Sequence, residues 1–174
     1  QVSDPITFKA PPYIASLTIF EDAESVNYIN NESFIRKLYH NTRPYGGIVC
    51  FPIYKGDVST IRQKIQESDM PKAVLRVSDG FLLLVKDGSL PGSGDWTHQY
   101  GDIANTVKSD DQLVKLPLGI LWFGGSPNTD VLPRHGHGPP EQVIGGRLFI
   151  EGIDCISARD VYTGRILWKK KIPE

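Results

Sequence analysis

Residues 143–168, VIGGRLFIEGIDCISARDVYTGRILW, constrain the fold more than any other stretch of the chain. Two β-rich runs lie in it, 147–151 and 165–169, with a short apolar segment at 155–158 between them. Leu148 and Ile150 alternate with Arg147, Phe149 and Glu151, the pattern of a strand with two unlike faces. Gly145-Gly146 reads as a turn entering that strand. Asp160 and Thr163 are side chains that bond turn backbone, and Gly164 takes the positive φ of a short connection without steric cost. Trp168 closes the unit with a large apolar body. On residues alone this is a generic hairpin with a buried Trp.

The chain has 174 residues, enough for one or two domains. With 40% hydrophobic and 22% charged residues it has an ordinary globular composition. A net charge of -1 supplies no electrostatic footprint for nucleic acid or an anionic membrane. No apolar run approaches the roughly 18 residues of a membrane span. The first residue is Gln1 and the only methionine is Met70, which suggests a trimmed chain, a processed product or a piece of something longer. Cys50 and Cys155 form no metal or haem motif. Cys50, inside an apolar run, is expected to be a buried thiol.

From the start, residues 13–20 form a short run rich in β-branched and aromatic residues, expected to be a buried strand. Asn31 or Ser33 caps a helix whose apolar face is Phe34, Ile35, Leu38 and Tyr39, and which ends near Asn41 because Pro44 cannot continue it. Arg43-Pro44-Tyr45-Gly46-Gly47 turns into an apolar strand at 48–53, expected to be covered on both faces. A second helix runs from Thr60 to about Ser68, with Ile61 and Ile65 on one face. The runs 73–77 and 81–86 flank Asp79-Gly80, a hairpin signal.

This order resembles the C-terminal half of a Rossmann-like S-adenosylmethionine-dependent methyltransferase. Arg43-Pro44-Tyr45-Gly46-Gly47 is similar to the family's L-x-P-G-G turn before its fifth strand. Residues 13–20 then stand for the preceding strand and 73–86 for the antiparallel hairpin at the sheet edge. The family's Gly-rich cofactor loop and its following acidic residue have no counterpart in these 174 residues, so the chain alone is not expected to bind S-adenosylmethionine.

Residues 87–95, DGSLPGSGD, are the expected domain boundary. Beyond them, Ala158, Asp160, Thr163, Gly164 and Trp168 match the A-x-D-x-x-T-G-x-x-x-W repeat. That pattern resembles the blade of the PQQ-like (quinoprotein-type) β-propellers, in which the Trp docks each blade onto its neighbour; the resemblance implies a Trp168 ring mostly buried and packed near the 160–164 turn. Residues 96–106, with Trp96, Asp102, Asn105 and Thr106, resemble the entry segment of such propellers, and Leu121-Trp122 the mark that starts a blade. About 80 residues cannot supply a closed propeller of four or more blades. The expected fold is therefore α/β, partial Rossmann-like, over residues 11–87, plus all-β, a partial PQQ-like propeller, over residues 95–174. The expected domains are 1–90 and 91–174.

His135 and His137, at i and i+2 in a Gly-flanked loop, are the candidate metal ligands, with His98 or Asp130 as a further donor. Their other reading is an ordered loop bonded to backbone or water. No nucleophile elbow, phosphate loop or Cys/His pair is present. The expectation is a fragment of a larger bacterial multidomain protein, acting as a domain junction and interaction scaffold without catalysis or cofactor of its own. Its expected partner is the remainder of the parent or another protein chain, not nucleic acid. The alternative is part of an enzyme, a methyltransferase or a quinoprotein-type oxidoreductase, whose active-site residues lie outside this chain. In that parent S-adenosylmethionine, or PQQ with calcium, would be the cofactor. The propeller resemblance implies a periplasmic or exported protein, the methyltransferase resemblance a cytoplasmic one.

Overall fold

The computed structural model describes residues 4–21, 28, 30–53, 58–125, 127–132 and 139–172. The chain divides into two compact units, Gln1–Gly88 and Ser89–Glu174, each holding a four-stranded sheet. The content is mixed α/β, and among the described residues neither sheet closes on itself.

The first unit runs β1 (Leu17–Ile19), α1 (Glu32–Asn41), β2 (Gly47–Pro52), α2 (Val58–Glu67), β3 (Ala73–Ser78) and β4 (Phe81–Lys86). Its sheet order is β1-β2-β4-β3, with β1 parallel to β2 and the β3–β4 hairpin antiparallel, β4 lying against β2. Asn31 caps α1 by accepting the Phe34 N–H at 3.1 Å. Glu32 sits in the first turn, where the helix dipole favours it, and pairs with Arg36 one turn on at 2.8 Å. At the other end the Lys86 ammonium donates to the Tyr39 carbonyl at 2.9 Å. Asp79 and Gly80, at φ 49° and 81°, make the two-residue turn whose twist matches the flanking strands. Gly47 is required by crowding, since a Cβ there would meet Thr42 Cγ2 at 2.8 Å and the Arg43 carbonyl closer still.

Both helices cover one face of the sheet. Ile35 and Tyr39 of α1 and Ile65 of α2 pack with Val49, Phe51, Leu82 and Leu84. Phe20 stacks on Phe51 with ring centroids 5.0 Å apart. The expectation that 13–20 and 48–53 are buried on both faces is corrected here. β1 is a three-residue edge strand with Leu17 and Ile19 exposed, and Ile48 and Cys50 on the far face of β2 are only half-buried. A continuous apolar run does not encode how many faces are covered; the placement of the helices does. Cys50 is accordingly half-buried, and both cysteines are free thiols.

The second unit holds β5 (Gln142–Ile144), β6 (Arg147–Gly152), β7 (Cys155–Asp160) and β8 (Ile166–Lys171), an antiparallel meander in sequence order. Gly145 and Gly146, at φ 57° and 73°, join β5 to β6. The apolar segment at 155–158 is part of a full strand, β7, inserted between the two runs read as strands. It is the most buried strand of this sheet, with Cys155, Ser157, Ala158, Arg159 and Asp160 all buried. A bulge at Ala158/Arg159 shifts its register against β8. β8 is an edge strand carrying exposed Lys169, Lys170 and Lys171, charges that blunt an open edge.

Candidate functional site

The turn after β7 is built by Asp160. Its carboxylate Oδ1 accepts the N–H groups of Tyr162 at 2.8 Å and Thr163 at 3.2 Å, and the Gly164 N–H returns to the Asp160 carbonyl at 2.9 Å. Gly164 sits at φ 69°, and the space of its missing Cβ is filled by the Trp122 indole, whose Cδ2 would lie 2.6 Å from that atom. The Trp122 indole N–H donates to the Val161 carbonyl at 2.8 Å. A Trp thus clasps the Asp-x-x-Thr-Gly turn, face on glycine and edge on carbonyl.

The clasping residue is Trp122, not Trp168. Trp168 stands on β8 opposite Ala158, tilted against Phe149 at 6.1 Å, and is 37% exposed. The expectation that its ring is buried at the 160–164 turn is corrected. A side chain on β8 stands perpendicular to the sheet beside its cross-strand partner and cannot fold back over the end of its own hairpin. Ala158, fully buried, sits beneath the Trp168 backbone; Asp160, Thr163 and Gly164 form the turn itself.

Residues 113–123 lead into the clasp and belong to no strand or helix. At the near end Asp111 accepts N–H groups from Leu113 and Val114, each at 2.8 Å, and from Gly94 at 3.0 Å. The Val114 and Gly94 N–H groups, then that of Leu113, hold its carboxyl below the usual range. At the far end Trp122 is the anchor. Between these pins the apolar side chains point to solvent, Leu116 being 86% exposed and Ile120 84%, with Val114 and Leu118 also open; Phe123, just past the anchor, is 97% exposed. The Trp-led stretch before them folds as a capped loop, in which Asp102 accepts the Thr106 hydroxyl at 2.6 Å and the Thr106 N–H at 3.1 Å. Trp96 bridges to Val143 through two backbone hydrogen bonds of 2.8 Å.

His135 and His137 lie outside the described residues. Of the donors offered with them, Asp130 is buried and pairs with Lys169 at 2.5 Å, and His98 bonds the Thr97 hydroxyl through Nδ1 at 2.8 Å. Among the described residues no three His, Cys, Asp or Glu side chains gather around a common point, and no helix is long and apolar enough to cross a membrane. Two buried cations escape sequence reasoning. Lys86 reaches between the rings of Tyr13 and Tyr39, 4.9 and 4.7 Å from their centroids, and burial lowers its pKa to about 8. Arg159 is buried in β7. Each sits inside a strand reading FLLLVK or CISARD, and a charge within such a run is the only signal the sequence carries. The chain matches no family model, no curated protein and no solved structure.

Proposed function

We propose that this chain is a junction and interaction scaffold without catalysis of its own, a piece of a larger bacterial multidomain protein. The observation that carries the reading is the apolar strip at 113–123. Its side chains are held outward around two fixed pins, and a contiguous apolar strip held open to water marks a protein contact. Its partner is another part of the parent or another protein chain.

Two further features support the family readings. In the first unit a parallel strand pair is followed by an antiparallel hairpin at the sheet edge, the arrangement that a methyltransferase-like C-terminal half implies. In the second, the Trp122 clasp on the Val161–Gly164 backbone is the kind of docking expected between PQQ-like propeller blades. That clasp also favours the second reading, in which the parent is a quinoprotein-type oxidoreductase with its axial cofactor residues elsewhere. Calorimetry of the 174-residue chain with S-adenosylmethionine, and separately with PQQ plus calcium, tests the absence of catalysis. No heat of binding is expected, and micromolar affinity for either would overturn the scaffold reading.

A further inference from the structure

We propose that Arg159 is the receptor for a carboxylate. The residue is 6% exposed, and among the described residues its Nε and Nη2 have no hydrogen-bond partner while both are closed to solvent. These two nitrogens form the side-on fork of a guanidinium, whose parallel N–H groups match the two oxygens of one carboxylate. Two buried guanidinium nitrogens left unpaired are costly, because their N–H groups have lost water and gained no acceptor in return.

Among the described residues no acid meets Nε or Nη2, and three acids of this unit are committed elsewhere. Asp160 binds its own turn, Asp130 binds Lys169, and Asp111 binds three backbone N–H groups. Glu151 pairs across the sheet with Ile156 and so stands on the face opposite Arg159, which pairs with Leu148 and Ile166. The ligand is therefore brought from outside. Its class follows from the surroundings: one cation, apolar cross-strand neighbours, and the closest strand lysine, Lys169, already neutralised. A planar monoanion with an apolar body suits this site, whereas a phosphate dianion would want a second free cation.

The backbone over the guanidinium is glycine. A Cβ on Gly125 would come within 3.1 Å of Arg159 Nη1, and both Gly124 and Gly125 hold positive φ, at 111° and 129°. Only glycine allows the chain this close in that conformation. Gly125 thus stands at the third nitrogen, Nη1, and the Nε–Nη2 edge is the one left for a carboxylate.

The test uses the full chain and sodium acetate, with sodium chloride at matched ionic strength as control. Arginine side-chain Nε–Hε resonances are recorded for the wild type, Arg159→Leu and Arg159→Lys. Acetate is expected to move saturably one cross-peak that Arg159→Leu lacks, and to raise the Tm of the wild type but not of that variant. Should Arg159→Leu not fold, Arg159→Lys keeps the charge without the fork and is expected to weaken the acetate-dependent Tm rise about tenfold. A peak that instead moves on protein dilution assigns the carboxylate to a second copy of the chain. A peak that moves in neither series, or an equal acetate response in Arg159→Leu, overturns the proposal.

Discussion

Replacing Trp122 by Ala removes both halves of the clasp at once. A fully buried Trp truncated to Ala costs about 3–5 kcal/mol, and Trp122 is half-buried, so its packing contributes about half of that. The bond from its indole N–H to the Val161 carbonyl adds about 1 kcal/mol. The expected loss is roughly 2.5–3.5 kcal/mol. Gly164→Ala strikes the same contact from below. Its left-handed φ costs about 1–2 kcal/mol in any background. Its new Cβ also collides with the indole, but only while Trp122 is present. The double variant should therefore be more stable than the sum of the single losses predicts, by about 1–2 kcal/mol. All three tryptophans, Trp96, Trp122 and Trp168, lie in the second unit, so tryptophan fluorescence during urea unfolding reports on that unit. Strictly additive losses, or a Trp122→Ala cost near zero, would refute the clasp.

Trp168→Ala should cost less than Trp122→Ala, about 1–2 kcal/mol by the same assay, because its ring is more than a third exposed. Asp160→Ala should cost about 2–4 kcal/mol by urea unfolding, since the turn N–H groups of Tyr162 and Thr163 lose their acceptor. Lys86 gives a pH dependence. Its folded pKa of about 8 lies below its ordinary value of 10.5, so between those pH values the unfolded chain binds more protons and stability rises with pH. The full shift corresponds to about 3 kcal/mol at most, and the Tyr13 and Tyr39 rings offset part of it by stabilising the charged form. Above pH 10 Tyr39, with its pKa raised to about 12 by burial and by Asp87, contributes the opposite slope. The difference between wild type and Lys86→Met isolates the lysine, and chemical denaturation at pH 7 and 10 should find the wild type gaining on the variant as pH rises.

The helices and hairpins were legible because their signals are local. Asn31 before Phe34, Ile35, Leu38 and Tyr39 fixes α1, and Asp79-Gly80 fixes the β3–β4 turn. Which face of β2 is covered was not legible, because Val49 and Cys50 are equally apolar in sequence and only the helices distinguish them. The Asp160–Gly164 turn was legible as a turn, but its occupant was not. Trp122 lies 39 residues from Val161, and pairing distant residues needs the fold. Apart from its place in the run CISARD, nothing in the sequence marks Arg159 as buried; the bulge at Ala158/Arg159 and its place in the most buried strand put it inside.

Sedimentation velocity of the wild-type chain and of the double variant Leu116→Asp, Ile120→Asp tests the scaffold reading most directly. Both positions are more than four-fifths exposed, so the substitutions leave the folded unit intact and change only what its strip offers to a partner. With no partner chain present, the strip can bury its apolar surface only against further copies. The wild type is predicted to gain mass with concentration and the double variant to stay monomeric. A wild type that remains a monomer across the same range, indistinguishable from the variant, would contradict the claim that residues 113–123 are built to bind another protein.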